Sequence, residues 1–228
     1  MSSLFLPRNT HQQLAQLVRP ATATTPEVIA VSNELAPCFP WGGLRRGDTI
    51  MVGGSSTLTF TTVAHATQSG LWCGVVALPQ LNLAAGEETG VDLSRIVLVQ
   101  EPSRHLPEVA AALLDALDIV ILGIVPELTR ETLQKLSART RQRRKVLLLS
   151  TATPPPSLPG IAITLDAVQH RWGGATEGFG YLEHHQIDIR AYGHGRAARS
   201  REHTLSCVPV RNKQPDVLPG IAKVTQVL

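Results

Sequence analysis

One stretch of this chain has the residue types and spacing to meet a phosphate group, the turn Gly53-Gly54-Ser55-Ser56-Thr57. It follows Asp48-Thr49-Ile50-Met51-Val52, a short apolar run rich in strand formers. Leu58 to Thr67 can continue as a helix with Leu58, Val63 and Ala66 on an inner face. Strand, glycine turn and helix form the frame of a phosphate-binding loop, because backbone N–H groups close on phosphate oxygens at a helix start. Chemistry on a nucleotide also needs Gly-Lys-Ser/Thr there, the lysine for the outer phosphates and the hydroxyl for magnesium. Counted from Gly53, those places hold Leu58, Thr59 and Phe60. The frame of the site is present and its charges are not. Two readings stand for the turn, a weak anion site on backbone amides or a purely structural turn.

Other reactive residue types are scattered. Ser55 and Ser56 sit where a nucleophile elbow would, but the pattern is not G-x-S-x-G and no acid–base pair can be assigned to them. Among eight histidines, His184 and His185 stand next to each other with His194 nearby. Neighbours in a strand point to opposite faces, so that pair is read as ordinary strand histidines rather than metal ligands. The densest basic cluster is Arg139, Arg141, Arg143, Arg144 and Lys145. It is either a nucleic-acid or partner patch, or a helix end whose cations complement the dipole. Any DNA contact through it is expected to be weak and salt-sensitive, since phosphate contacts release counterions. Arg190, Arg196, Arg199 and Arg201 form a second cluster.

These residues need a scaffold, and the chain is long enough for one. It has 228 residues, 43% hydrophobic and 17% charged, with a formal net charge of +3. That fits one globular domain with tails and permits nucleic-acid contact without arguing for it. Cys38, Cys73 and Cys207 are odd in number and far apart, which speaks against a disulfide framework and for a reducing compartment. No apolar run is long enough to span a bilayer, so the expected location is the cytoplasm, away from the membrane.

The first ten residues read as frayed. A short helix is expected over His11 to Arg19, ended by Pro20, then a Thr/Pro/Ala linker over Ala21 to Pro26. Strand candidates are Val28 to Val31, Asp48 to Val52, Trp72 to Leu78, Arg95 to Val99, Asp118 to Leu122 and Lys145 to Leu149. Between them fall a Pro/Gly-rich approach over Leu35 to Gly47, a helix over 57–69 and a loop holding Asn82, Gly86 and Gly90. Further helices are expected over Arg104 to Leu117 and from Pro126 through Arg141. Continuous apolar strands alternating with helices predict an α/β fold whose mostly parallel sheet is covered on both faces. Beyond the proline-rich loop Thr153 to Gly160, two strands are expected, Ile161 to Leu165 and Val168 to Trp172. After the glycine-rich loop Gly173 to Gly180, His185 to Tyr192 and Thr204 to Val210 read as an antiparallel hairpin.

From about Val28 to Lys213 this order resembles the core of RecA-type recombinases. Gly42-Gly43-Leu44-Arg45-Arg46-Gly47 is similar to the segment before their nucleotide loop. Asp118-Ile119-Val120-Ile121-Leu122 is similar to the strand that carries their magnesium-holding aspartate. Gln186 to Arg190, with Arg211-Asn212-Lys213, resembles their terminal hairpin and its basic triplet. On this likeness the lysine place is Thr59, the hydroxyl place Phe60, the aspartate place Gly123, and the catalytic glutamate falls near Pro79 or Gln80. A RecA-type ATPase needs those groups to neutralise phosphate, hold magnesium and orient water. The resemblance therefore implies a protein that is not an enzyme and carries no cofactor.

Two RecA-like groups lack this chemistry. One is the ImuA family, with its shortened ImuA-prime form, an accessory of damage-induced error-prone translesion synthesis. The other is the SulA group, which blocks cell division by binding FtsZ. Length, the N-terminal lead and the GGLRRGD segment resemble the ImuA group more. A third alternative is a weak nucleotide- or DNA-binding regulatory relative. The ImuA likeness implies an ImuB-type partner, a Y-family polymerase homologue, and through it a replicative-class error-prone polymerase; self-association is also compatible. The expected organisation is 1–27 for the N-terminal helix and linker, 28–213 for the core and 214–228 for the tail. In that tail Val217, Leu218, Ile221, Val224 and Leu228 offer an apolar stripe. The stripe either docks on the chain's own core or fills a groove on the partner.

Overall fold

The computed structural model describes residues 27–81, 83–154, 158–174 and 184–207. The helix over His11 to Arg19, the linker over Ala21 to Pro26, most of the Gly173 to Gly180 loop and the whole C-terminal tail lie outside the described residues.

Alternation of strand and helix governs the centre of the chain. Strand β3 (Thr49–Gly53) leads into helix α1 (Ser56–Gln68), followed by β4 (Cys73–Val76) and the short helix α2 (Leu83–Glu88). Strand β5 (Ile96–Val99), helix α3 (Leu106–Ala116), β6 (Ile119–Gly123), helix α4 (Arg130–Arg143) and β7 (Val146–Thr151) come next. Strands β8 (Ile161–Gly173), β9 (His184–Gly193) and β10 (Arg201–Cys207) close the order. They form one eight-stranded sheet, β10-β9-β8-β3-β7-β6-β4-β5. From β8 to β5 all neighbours are parallel, and β8, β9 and β10 pair antiparallel. The expected fold class is thus the observed one.

Two apolar layers explain why the strands read as unbroken hydrophobic runs. On one face, Ile50, Val52, Val75, Ile121 and Leu148 pack with Leu58, Phe60 and Val63 of α1. On the other, Met51, Val76, Val120, Leu122 and Leu149 pack with Leu106, Leu113 and Leu114 of α3 and Leu133 of α4. A strand buried on both faces has no polar side to alternate with.

Several expectations need correction. The approach over Leu35 to Gly47 contains a strand, β2 (Gly43–Arg45), which pairs antiparallel with β1 (Val28–Ala30) as a separate ribbon. Pairing demands glycine at 43, where a β-carbon would collide with the Ile29 carbonyl. The region read as a loop around Gly86 and Gly90 holds α2. The helix expected from Pro126 begins at Arg130, because the Thr129 hydroxyl caps it by accepting from the Thr132 N–H at 3.2 Å. The two strands expected over 161–172 are one strand with a β-bulge, at which Val168 has no partner on β9.

At the start of the sheet a single carboxylate joins four neighbouring strands. Arg46, before β3, donates to Asp118 Oδ1 from Nη1 at 3.2 Å and from Nη2 at 3.3 Å. Asp118 itself precedes β6. Its Oδ2 accepts from the Trp72 N–H, before β4, at 3.4 Å. Lys145, before β7, stands 3.8 Å from Oδ1. The Arg46 side chain is only 3% exposed. Removing one partner of a buried pair leaves an uncompensated charge. Asp118→Ala should therefore cost about 3 kcal/mol, a fall in Tm of roughly 6–12 °C by calorimetry. An unchanged Tm would show that the carboxylate does not hold the strand starts together.

Candidate functional site

The turn after β3 has the local geometry expected of it. Gly54 adopts φ +79°, a left-handed conformation that favours glycine. The Ser55 hydroxyl caps α1 by accepting from the Leu58 N–H at 3.1 Å. The Gly54 N–H donates to the Thr151 carbonyl at 3.1 Å, and the Thr59 N–H to the Ser55 carbonyl at 3.1 Å. These amides are already engaged within the chain.

What surrounds the turn decides what it can hold. A β-carbon on Gly53 would collide with Cγ and Cδ of Pro154. One on Gly54 would lie 2.7 Å from the Ala167 carbonyl oxygen. The connection after β7 and the strand β8 therefore close on the two glycines from outside. The places of lysine and magnesium-binding hydroxyl are also filled from within. Leu58, Thr59 and Phe60 are all fully buried. The Thr59 hydroxyl donates to the Ser55 carbonyl at 3.0 Å and shares a hydrogen bond with Ser150 at 3.2 Å. The Phe60 ring lies against Gly86 of α2, within about 3 Å of where a β-carbon would stand.

At the end of β6 the constraint is tighter. Gly123, the place the resemblance gives to a magnesium-holding aspartate, backs onto the Ala77 carbonyl, and a β-carbon there would collide with that oxygen. Ala77 is itself held at φ +54°, rarely adopted by residues other than glycine. No side chain fits at 123 unless this backbone moves.

A polar device links β8 to the turn. The bulge at Val168 resets the alternation of β8, so that His170 and Trp172 share a face with Ile187 and His185 of β9. His170 Nε2 donates to the Gly54 carbonyl at 3.1 Å. Its Nδ1 therefore accepts from His185 Nε2 at 2.9 Å when both rings are neutral. Trp172 stacks on His185 with centroids 3.7 Å apart and an angle of 2°. Burial, and secondarily His170, hold the His185 pKa below its ordinary value. His184, one residue earlier, is exposed while His185 is buried. Among the described residues no group of three or more His, Cys, Asp or Glu is placed to hold a metal ion.

The basic cluster at the end of α4 is largely neutralised by the chain's own acids. Arg139 makes a paired hydrogen bond with both oxygens of Asp115, and Arg143 Nε stands 2.9 Å from the same carboxylate. The Arg139 hydrogen bond, above all, holds the Asp115 pKa below the usual carboxylate range. Lys145 faces Asp118. Arg144 closes α4 at φ +53°. Of the five cations, Arg141 and Arg144 are left with exposed side chains and no carboxylate within ion-pair distance among the described residues. The spacing of Asp115 and Asp118 against Arg139 and Lys145 carried no helical signature that would have announced the pairing. The expected apolar stripe Val217, Leu218, Ile221, Val224 and Leu228 lies outside the described residues.

Residues 37–155 match the family model "MT3502 N-terminal domain", just over half of the chain. The chain belongs to that family. The match begins before β2 and ends in the connection after β7, so it includes the closed turn, Gly123 and the α4 cluster. A protein of Mycobacterium tuberculosis, the uncharacterized protein Rv3395c, is 34% identical over 120 residues, 52% of this chain. The chain spans 58% of that relative's length. Strands β8 to β10 lie beyond the matched MT3502 segment.

Two expectations follow. Gly123→Asp, which would place there the acid that the recombinase resemblance expects, should destabilise the fold by about 3 kcal/mol or more, read as a lower urea midpoint. A variant as stable as the parent would mean that the site has room for the acid. Second, His185 is favoured neutral in the fold, so its contribution is complete above its unfolded pKa of about 6.5 and erodes as pH falls below that value. His185→Gln should flatten the fall in Tm between about pH 7 and pH 5. An identical slope in the variant would rule out this residue as the source.

Proposed function

We propose that this chain is a non-catalytic RecA-like adaptor of the ImuA group, working in damage-induced error-prone translesion synthesis by binding an ImuB-type Y-family polymerase homologue. The observation that carries the reading is the filled nucleotide site. Pro154 occupies the approach to Gly53, Phe60 is packed where a magnesium ligand would stand, and Gly123 has no space for an acid. Phosphoryl transfer depends on positioning and charge stabilisation by such groups. A chain that keeps the frame and fills the site retains a scaffold, and a scaffold serves by presenting surfaces.

Three further points support this reading. The glycine turn opens a helix in a parallel sheet, as the recombinase likeness expects. The cations that looked fit for DNA are mostly paired internally, which favours a protein partner over nucleic acid. The segment that matches the family model holds the closed turn, Gly123 and the α4 cluster together, so the filled site lies within the part of the chain shared with that family.

Tagged full-length protein, recovered from DNA-damaged cells, should capture the ImuB-type protein. Deleting residues 215–228 should abolish that capture and leave the domain's Tm nearly unchanged, since the tail is read as a groove-filling segment. Capture of FtsZ in its place would favour the SulA-like alternative. Recovery of neither protein would overturn the adaptor reading.

A further inference from the structure

An unexplained feature lies beside the closed turn, on the outer side of α1. An open cleft of about 260 Å³ is bounded by α1, α2, the segment after β1 and the ends of β8 to β10. Its walls include Glu34, Thr57, Thr61, Glu88, Trp172 and Cys207. Trp172 is 56% exposed, and only it and Val168 are large exposed hydrophobic side chains among the described residues. Its ring is held flat on His185, which leaves the opposite face uncovered by that contact.

We propose that this cleft is a docking site for a partner protein's arginine- or lysine-bearing segment. Charge decides the occupant. Glu34 and Glu88 are exposed carboxylates that make no ion pair among the described residues. Glu34 lies close enough to Cys207 to help hold its thiol in the protonated form, secondary to burial. Among the described residues the cleft walls carry no lysine or arginine, and their one histidine, His185, is favoured neutral. An indole face beside two carboxylates suits a guanidinium or ammonium, which stacks on the ring while pairing with the acids. A nucleic-acid strand would suit the indole but would bring phosphates towards both carboxylates, so stacking of bases is disfavoured.

Preorganisation supports the assignment. The bulge at Val168 turns Trp172 to this face, His185 fixes the ring plane, and the hydrogen bond from His170 to Gly54 ties β8 to the turn. An aromatic fixed before binding loses little freedom on complex formation. The inference concerns the chemistry of the occupant and stands apart from the identity of the partner proposed above.

The test uses the full chain and an amidated peptide carrying two arginines, with a citrulline peptide of the same shape as the neutral control. Titration by calorimetry should give saturable binding of the arginine peptide that weakens with salt. Trp172→Leu and the double variant Glu34→Gln/Glu88→Gln, each checked for an unchanged Tm, should weaken it about tenfold. The citrulline peptide should bind far more weakly. Three results would overturn the proposal. The peptide does not saturate, both variants bind it as the parent does, or a thymidine oligonucleotide binds in a Trp172-dependent manner. Binding that emerges only when residues 208–228 are removed would also overturn it, naming the chain's own tail as the occupant.

Discussion

The β7–β8 connection has to cross the end of β3, and the character of the site follows from that crossing. Strand β8 pairs with β3 on the side opposite β7, in the same direction. The chain leaves β7 at the far edge of the sheet and must begin β8 at the near edge. Only residues 152–160 make the journey. Parallel crossovers commonly use a dozen residues or more, often a helix. Nine residues reach at most ~30 Å, enough to pass a five-residue strand of ~17 Å. Four prolines in this stretch favour extended backbone. The path carries Pro154 over Gly53, and Leu158 joins the apolar layer on the α4 side. In open α/β sheets ligands bind beyond the carboxyl ends of strands. In this chain part of that region is taken by the chain itself.

Opposite effects act at the two edges. The near edge is polar and tied, with Asp118 bridging the starts of β3, β4 and β6 and facing Lys145 at β7. The far edge is crowded by small residues and backbone, with Gly53, Gly54 and Gly123 each against another atom. The glycines thus serve close packing rather than approach to a ligand. Close packing by itself accounts for a glycine-rich turn that lacks the charged residues of a reactive one. The face where β8 runs past the parallel sheet to pair with β9 carries the exposed Trp172.

The sheet strands were legible in the sequence because burial on both faces leaves uninterrupted apolar runs, such as Ile119 to Leu122 and Val146 to Leu149. The turn was legible from its glycines and the missing lysine. What could not be read was long-range. The strand at Gly43–Arg45 depends on a partner at Val28–Ala30, and no local pattern announces it. The bulge at Val168 splits one strand into what looks like two, and it alone puts Trp172 on the cleft side. The ion pairs of Asp115 and Asp118 join residues distant in sequence, so the cations at 139–145 looked free when most are not. Gly123 gave no sign that its neighbour is the Ala77 carbonyl.

The proposed reading is that the turn after β3 keeps the frame of a nucleotide site but has no room for a nucleotide. Equilibrium binding of labelled magnesium-ATP to the full chain, with phosphate release followed in the same samples, tests it most directly. The account predicts no saturable binding into the low millimolar range and no release above the protein-free rate. Saturable submillimolar binding, lost when Gly54 is replaced, would contradict it, because a ligand there must displace Pro154 or Ala167 from the turn.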